Sequence, residues 1–251
     1  MSYKVKATLV AFLGEPDKYP CHFCYELGDE IIFDGEKCIG RVCPDLFPPL
    51  VQKAMAMHVA GPRYVDPGYW YPFWYAPPSV KDLSLKKYDG LGFRNVLKTI
   101  IEPPTHMRNL LPPDAFVWPP TKERVVAKDV TVLCPDLRTA GLFKLEVIDL
   151  SDKGFDVPYF RRQMCILDRV IKNPGINLDK IPSKFTEKQI MDIYPPLVPE
   201  MLRPLAEEIE LVGYMEIKDG QCFATEKGIA RLKDFIATLT DEEVELLGVG
   251  Q

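Results

Sequence analysis

The chain has 251 residues, of which 47% are hydrophobic and 27% are charged, and its net charge is −5. This length and composition are ordinary for a globular protein of one or two domains with a substantial core. The negative charge excludes a general electrostatic attraction to nucleic acid or to anionic lipid. No apolar run approaches the roughly 20 residues that a bilayer-spanning helix needs.

The first residues of the chain alternate polar and apolar side chains and lack the apolar stretch of a signal peptide. The seven cysteines are an odd number in a long chain, which argues against a disulfide framework. We therefore expect a cytoplasmic protein with reduced thiols and no membrane partner.

Residues 1–60 predict a small β-rich unit with one helix. Asp34-Gly35 is a strong hairpin signal between two apolar runs, and Gly61-Pro62 ends a helical spacing of apolar residues. The predicted elements in chain order are a strand over residues 4–12, a hairpin of residues 30–33 and 38–42, and a helix over residues 50–60.

A short window of this unit concentrates the residue types that bind metals and act as nucleophiles. It holds four of the seven cysteines and two of the three histidines. Cys21 and Cys24 have the two-residue spacing that lets both thiolates reach one metal. Cys43 follows the predicted hairpin and His58 lies on the predicted helix. These four residues form a ligand pool for a divalent ion (zinc, iron or manganese), and Asp45 is a candidate for moving protons.

Two other interpretations of the cysteines stay open. Cys21, Cys24 and Cys38 would also fill a small β core, because free cysteine is among the most buried residue types. Alternatively, one of the thiols is reactive, which requires a nearby cation or a helix N-terminus. A thioredoxin-type site is not expected, since no βαβ pattern surrounds the Cys-x-x-Cys pair.

The same portion resembles a family of short proteins from strict anaerobes. Its members share a Cys-x-Phe/Tyr-x-x-Gly-Asp start, seen here over residues 24–29 as Cys-Tyr-Glu-Leu-Gly-Asp, and a later Cys-Pro, seen here at Cys43-Pro44. The spacing in this chain departs from the pattern within the first segment. The resemblance covers about 60 residues and implies a reducing habitat without implying an activity.

A four-residue sequence occurs twice in the chain. Cys43-Pro44-Asp45-Leu46 recurs as Cys134-Pro135-Asp136-Leu137, each time after an apolar strand. Pro and Asp are favoured turn residues, so the repeat fits a turn that is used twice. The alternative is a duplicated half-site, with both thiols at equivalent strand ends.

Residues 62–120 hold eleven of the 24 prolines and all three tryptophans. Proline removes backbone donors, so long regular elements are not expected, while the aromatic content argues against a disordered linker. We expect an ordered wrap on the β unit. Its aromatic stretch, residues 64–75, fits a core plug, a subunit interface of a homo-oligomer or the wall of a small-molecule pocket.

Candidate substrate-binding residues follow from the pocket interpretation. Trp70, Tyr71 and Trp74 would form the wall. Arg94 comes after two glycines at the start of a predicted short helix, a place that could admit an anion. His106, in a loop held by prolines, is a candidate acid or base.

Two predicted strands, residues 130–134 and 142–150, precede a domain boundary at residues 151–154, after which the composition becomes helical. Thr186 and Thr240 each begin a capping-box sequence, and Thr225 is a third helix-capping residue. The predicted elements are helices over residues 159–172, after Thr186, over 199–212, over 225–237 and after Thr240, with a hairpin of residues 214–217 and 222–224.

The predicted order is three helices, a hairpin and a further helix. This order resembles the winged-helix fold of bacterial regulators of the multiple-antibiotic-resistance type, and so do Gly213, Asp219-Gly220 and Thr225-Glu226-Lys227-Gly228. The resemblance covers residues 160–238. The helix before the hairpin would enter the major groove, yet it carries four glutamates and one arginine. Residues 166–251 hold ten basic and sixteen acidic side chains, which argues against nucleic acid as a partner. We expect packing, dimerisation or covering of a site instead.

The sequence thus predicts an α+β protein with a β-rich domain over residues 1–152, wrapped by the aromatic segment, and a winged-helix domain over residues 153–251. The leading functional hypothesis is a cytoplasmic, metal-dependent enzyme of anaerobic metabolism. It would perform hydrolase, lyase or isomerase chemistry on a small carbonyl or aromatic-derived substrate. The alternatives are a ligand- or metal-sensing winged-helix regulator and a non-catalytic assembly protein.

Overall fold

The computed structural model shows mixed helix and sheet, which confirms the predicted combination of α and β structure. It describes residues 2–14, 16–64, 130–136 and 139–250. Within these ranges, no helix has the length and apolar character needed to cross a bilayer. Five predicted site residues lie outside the described residues: Trp70, Tyr71, Trp74, Arg94 and His106.

The N-terminal part is a five-stranded antiparallel sheet with the strand order β3-β2-β1-β5-β4. Because every neighbouring pair is antiparallel, β1, β3 and β4 run in the same direction. β1 and β4 finish at the same end of the sheet, and the shorter β3 points toward that end but stops level with Lys6 of β1. The strands are β1 (Tyr3–Gly14), β2 (Glu30–Phe33), β3 (Cys38–Ile39), β4 (Val130–Leu133) and β5 (Thr139–Leu150).

Helix α1 (Phe47–Ala60) packs on this sheet. Val5, Ala7 and Leu9 alternate with partly exposed residues along β1 and are buried in the same cluster as Leu50 of the helix, as the period-two pattern predicts. The helix begins three residues before its predicted start, because it accommodates two prolines in its first turn, where their missing N–H groups need no helical partner.

The predicted hairpin forms, but its second strand is shorter than expected. Pairing of β2 with β3 stops at Ile39, and Gly40 adopts a φ of +111°, where an added β-carbon would lie 2.7 Å from the backbone oxygen of Glu30. The backbone N–H groups of Glu36 and Lys37 donate to the Asp34 carboxylate across the turn, at 3.0 and 2.9 Å. The chain beyond Gly40 therefore leaves the sheet and carries Cys43 to the end of β1.

The C-terminal part has the predicted order of helices and hairpin. Both capping boxes are formed, by Thr186 with Gln189 and by Thr240 with Glu243. The elements are α2 (Val157–Lys172), α3 (Glu187–Met191), α4 (Pro199–Leu211), β7 (Met215–Lys218), β8 (Gln221–Ala224), α5 (Glu226–Ile236) and α6 (Asp241–Leu247).

A short strand in this part had no sequence signal. Strand β6 (Ile176–Asn177) pairs with β8, so that the small sheet has the order β6-β8-β7. The surrounding core includes Tyr3 and Leu150, from the beginning of β1 and the end of β5. The helical part is therefore packed against the end of the large sheet opposite to the one where β1 and β4 finish.

Candidate metal centre

Three chain segments meet at the end of the sheet where β1 and β4 finish and toward which β3 points. The segment after β1 carries Cys21 and His22, and the two copies of the Cys-Pro-Asp sequence follow β3 and β4. Since β3 and β4 are the two edge strands and β1 lies in the centre, the copies approach the central segment from opposite sides. The hydroxyl of Thr139, the first residue of β5, donates to the carbonyl of Tyr19 and ties the central segment to this end.

The central segment presents His22 on a tight turn. The backbone N–H of Cys24 donates to the carbonyl oxygen of Cys21 at 2.9 Å, and Cys24 has a φ of +53°. This hydrogen bond closes a four-residue turn with His22 and Phe23 in its centre, from which the half-exposed His22 side chain projects. Cys21 and Cys24 are the first and last residues of this turn.

His22, Cys43 and Asp45 form a group whose ligand atoms all lie within 4.8 Å of one another. Nε2 of His22 lies 3.7 Å from Sγ of Cys43 and 3.8 Å from Oδ2 of Asp45. One nitrogen, one sulfur and one oxygen atom at these separations could hold a metal ion.

The second ring nitrogen of His22 is held by Asp136. Nδ1 lies 3.0 Å from Oδ2 of Asp136, whose side chain is mostly buried. A carboxylate accepts hydrogen bonds, so Nδ1 carries the proton and, in the neutral ring, Nε2 keeps a free lone pair. This is the arrangement in which metal-ligating histidines are usually found, with a carboxylate behind the ring.

Cys43 is fixed from behind by Tyr25. The Cys43 backbone N–H donates to the Tyr25 hydroxyl at 2.8 Å, and that hydroxyl donates to the Arg41 carbonyl at 2.9 Å. Cys43 itself is fully buried, whereas Asp45 is exposed. The group therefore has one side closed by the protein core and one side open to solvent.

Cys134, from the second Cys-Pro-Asp copy, is buried beside this group. The pKa of its thiol is raised to about 11, mainly by burial; a backbone hydrogen bond from Asp136 acts against this shift, and the proximity of Cys43, Asp136 and Cys21 adds to it. Cys134 is consequently a neutral thiol at physiological pH in this structure. The two copies thus differ in use: Asp45 faces Nε2 of His22, and Asp136 faces Nδ1.

The structure separates the predicted ligand pool. Cys43 joins the group, Cys21 is half-buried nearby and Cys24 is exposed. His58 lies elsewhere, because α1 rises about 1.5 Å per residue and carries it from the site end of the sheet toward Tyr3 at the opposite end. There, His58 Nδ1 donates to the Tyr3 carbonyl at 2.6 Å, and Nε2 lies 3.4 Å from Oδ2 of Asp156.

The sequence analysis did not identify His22, a member of the group, or Asp136, the partner of its ring. His22 lies between the two cysteines of the Cys-x-x-Cys pair, whose spacing favoured the cysteines as ligands. The repeated Cys-Pro-Asp sequence, which suggested a duplicated half-site, was the signal that could have identified Asp136. No family model matches the chain, and neither a curated protein nor a solved structure matches it.

Proposed function

We propose that the chain is a metal-dependent enzyme whose divalent ion is held by His22 Nε2, Cys43 Sγ and Asp45 Oδ2. The observation that carries this proposal is the carboxylate of Asp136 on the far side of the His22 ring. A solvent-exposed histidine needs no such partner, whereas a metal ligand gains a fixed tautomer, a fixed ring orientation and greater basicity from it.

The number and kind of ligands favour catalysis over a purely structural ion. Structural zinc sites are usually closed by four protein ligands, while catalytic sites have three and keep a position for water or substrate. The mixed nitrogen, sulfur and oxygen set suits zinc best, with iron and manganese as alternatives. A divalent ion bound there would polarise a substrate carbonyl or lower the pKa of a water molecule, which serves hydrolase, lyase or isomerase chemistry.

The residues of the chain have distinct tasks in this proposal. Asp136 keeps the proton on Nδ1 of His22, and Tyr25 holds the backbone of Cys43 in place. The buried Cys43 closes the inner side of the site, and the exposed Asp45 leaves the outer side accessible to a small molecule. Asp45 thereby becomes a ligand instead of the proton carrier that the sequence suggested.

We further propose that residues 153–251 form a winged-helix domain that packs against the β-rich domain of residues 1–152 and does not read DNA. Helix α4, which precedes the hairpin, uses Glu207 to bind Arg63 of the N-terminal part at 2.7 Å. The neighbouring Glu208 is buried and accepts a hydrogen bond from Gln163. A helix face with these partners is not free to enter a major groove, and its charge is of the wrong sign.

A metal-sensing regulator is the second candidate, favoured by the order of helices and hairpin in the C-terminal part. It predicts duplex binding that changes with metal and weakens steeply with salt. Fluorescence anisotropy with random-sequence duplex, measured at low and physiological salt with and without zinc, separates the two candidates. The enzyme proposal expects no binding in any of these four conditions.

Turnover is the test of the enzyme proposal. Protein purified without oxygen would be assayed against a panel of esters, lactones and amides in the metal-free form, the zinc-loaded form and as His22→Ala. We expect turnover that requires zinc and falls at least about 100-fold in His22→Ala, since a ligand is lost. Asp234→Asn, a change of an exposed residue on α5, is the control. Turnover that is unchanged in the metal-free protein would contradict the proposal.

A further inference from the structure

Arg41 is attached to the candidate metal centre at both its backbone and its side chain. It lies two residues before Cys43, where the chain leaves β3. Its carbonyl accepts the hydrogen bond from the Tyr25 hydroxyl that also receives the Cys43 N–H. The position of its backbone is therefore fixed by the same hydroxyl that places a metal ligand.

The guanidinium group of Arg41 rests on the turn that carries His22. Nη2 donates to the carbonyl oxygen of Phe23 at 2.6 Å, and the guanidinium carbon lies 4.8 Å from the centre of the Phe23 ring. Phe23 follows His22 directly in the chain, so the cation is attached to the turn that carries the histidine. A guanidinium placed over an aromatic ring keeps N–H groups available for further hydrogen bonds.

Arg41 differs from the other arginines in the described ranges of the chain. Arg162 is buried among backbone carbonyls, and the remaining five each pair with a carboxylate. Arg41 is exposed and has no acidic partner among the residues that the structure describes. Of its five N–H groups, one donates to Phe23, so within the described part of the chain this cation has donors left over and no carboxylate to neutralise it, at the turn that carries His22.

The charges at the proposed centre suggest a role for this cation. A thiolate and a carboxylate would offset the two positive charges of a divalent ion, the imidazole is neutral, and Asp136 adds a negative charge behind the ring. The loaded centre would thus have no net positive charge with which to attract an anion. A substrate with an anionic group needs a separate cation, and a planar guanidinium matches the two oxygens of a carboxylate or phosphate.

We propose that Arg41 is a substrate-binding residue. It selects small molecules that carry a carboxylate or a phosphate in addition to the group that binds the metal. This inference rests on the proposed metal centre. It narrows the substrate class from carbonyl compounds in general to anionic ones.

Hydroxamates separate the two parts of the site, because the hydroxamate binds the metal and a second group reports on Arg41. Acetohydroxamate has no anionic arm, succinic monohydroxamate has a carboxylate, and phosphonoacetohydroxamate has a phosphonate. Each would be titrated into Co²⁺-loaded protein, with the cobalt absorption bands as the readout. We expect at least one anionic probe to bind about tenfold or more tightly than acetohydroxamate, as a charge-assisted bidentate contact predicts.

Arg41→Gln should abolish that preference while leaving the affinities for Co²⁺ and acetohydroxamate unchanged. Lys37→Gln, which removes an exposed cation from the β2–β3 turn, should keep it. A preference that persists in Arg41→Gln would overturn the inference. Weaker binding of Co²⁺ or acetohydroxamate by Arg41→Gln would also overturn it, because Arg41 would then only support the turn. If the wild type binds no Co²⁺, the metal centre itself fails and the anion subsite fails with it.

Discussion

The imidazole Nδ1 of His22 and the carboxylate Oδ2 of Asp136 lie 3.0 Å apart, although 114 residues separate them in the chain. This contact depends on the sheet, in which the strands preceding the two residues finish at the same end. It also gives the repeated Cys-Pro-Asp sequence a physical meaning. One copy supplies Asp45 to Nε2 of the histidine, and the other copy supplies Asp136 to Nδ1.

Replacing Asp136 by Asn should weaken metal binding without unfolding the protein. An amide can still accept a hydrogen bond from Nδ1, but it no longer adds a negative charge behind the ring. We expect the affinity for zinc to fall about 10- to 100-fold, the usual effect of losing such a partner. Competition with a chromophoric chelator measures it. Asp234→Asn is the matched control, and equal affinities of the two variants would show that Asp136 does not support a metal ligand.

Glu208 should make the stability of the protein depend on pH near neutrality. Burial raises its pKa from the ordinary value of 4.5 to about 7, opposed by the chain's amino terminus, the hydrogen bond from Gln163 and the charge of Arg63, and assisted by Asp156. Tyr3 and Glu207 also face this region. The raised pKa means that stability present below pH 4.5 is lost as the pH rises through 7.

The matching experiment compares urea unfolding of the wild type and Glu208→Gln at pH values from 4 to 8. Because the amide cannot ionise, the variant should gain about 3 kcal/mol relative to the wild type across this range. Glu207→Gln, a change of a partly exposed ion-pair residue, should shift stability by at most about 1 kcal/mol. A constant difference between Glu208→Gln and wild type at all pH values would contradict the buried ionisation.

Arg162 should be among the most costly residues to replace. Its side chain is fully buried and donates to four backbone carbonyls, those of Gln189 and Ile190 in α3 and of Ile193 and Pro195 after it. Methionine would fill much of the space but leave the carbonyls without donors. We expect Arg162→Met to lower the free energy of unfolding by at least about 3 kcal/mol. The exposed Arg203→Met should change it little, and similar losses for both would contradict the role of the buried donors.

Gly228 explains the last position of the Thr-Glu-Lys-Gly sequence. An added β-carbon would lie 2.1 Å from the backbone oxygen of Tyr214, so α5 and the residue before β7 can pack this closely only with glycine here. Thr225 caps the same turn through the Gly228 N–H at 3.1 Å. Gly228→Ala should therefore destabilise the protein by about 2 kcal/mol or more in thermal or urea unfolding, despite the better helix propensity of alanine. Glu226→Ala should be nearly neutral, and an equally neutral Gly228→Ala would show that the contact relaxes freely.

Much of the secondary structure could be predicted from the sequence, because it depends on interactions between residues that are close in the chain. The alternating residues of β1, the Asp34-Gly35 turn and the capping boxes at Thr186 and Thr240 each depend on neighbours within a few residues. Strand β6 was not predicted, because a two-residue strand has no period and exists only through its pairing with β8.

The candidate site was readable only in part, because it depends on sheet order. The sequence analysis named ligands in the same window as the candidate group and included Cys43 and Asp45 among its candidate residues, but spacing alone could not choose His22 over Cys24. His58 looked close in sequence, yet a helix of fourteen residues carries it to the other end of the sheet. Asp136 became visible as a partner only once β4 was found at the edge opposite to β3.

Metal content tests the central claim most directly. Elemental analysis would be performed on wild type, His22→Ala and the double variant Cys21→Ser/Cys24→Ser, all purified without oxygen. The proposed centre predicts close to one zinc, iron or manganese per chain in the wild type and the double variant, and loss of the metal in His22→Ala. A metal that persists in His22→Ala and disappears in the double variant would contradict the proposed centre. It would show that Cys21 and Cys24 are the metal ligands instead.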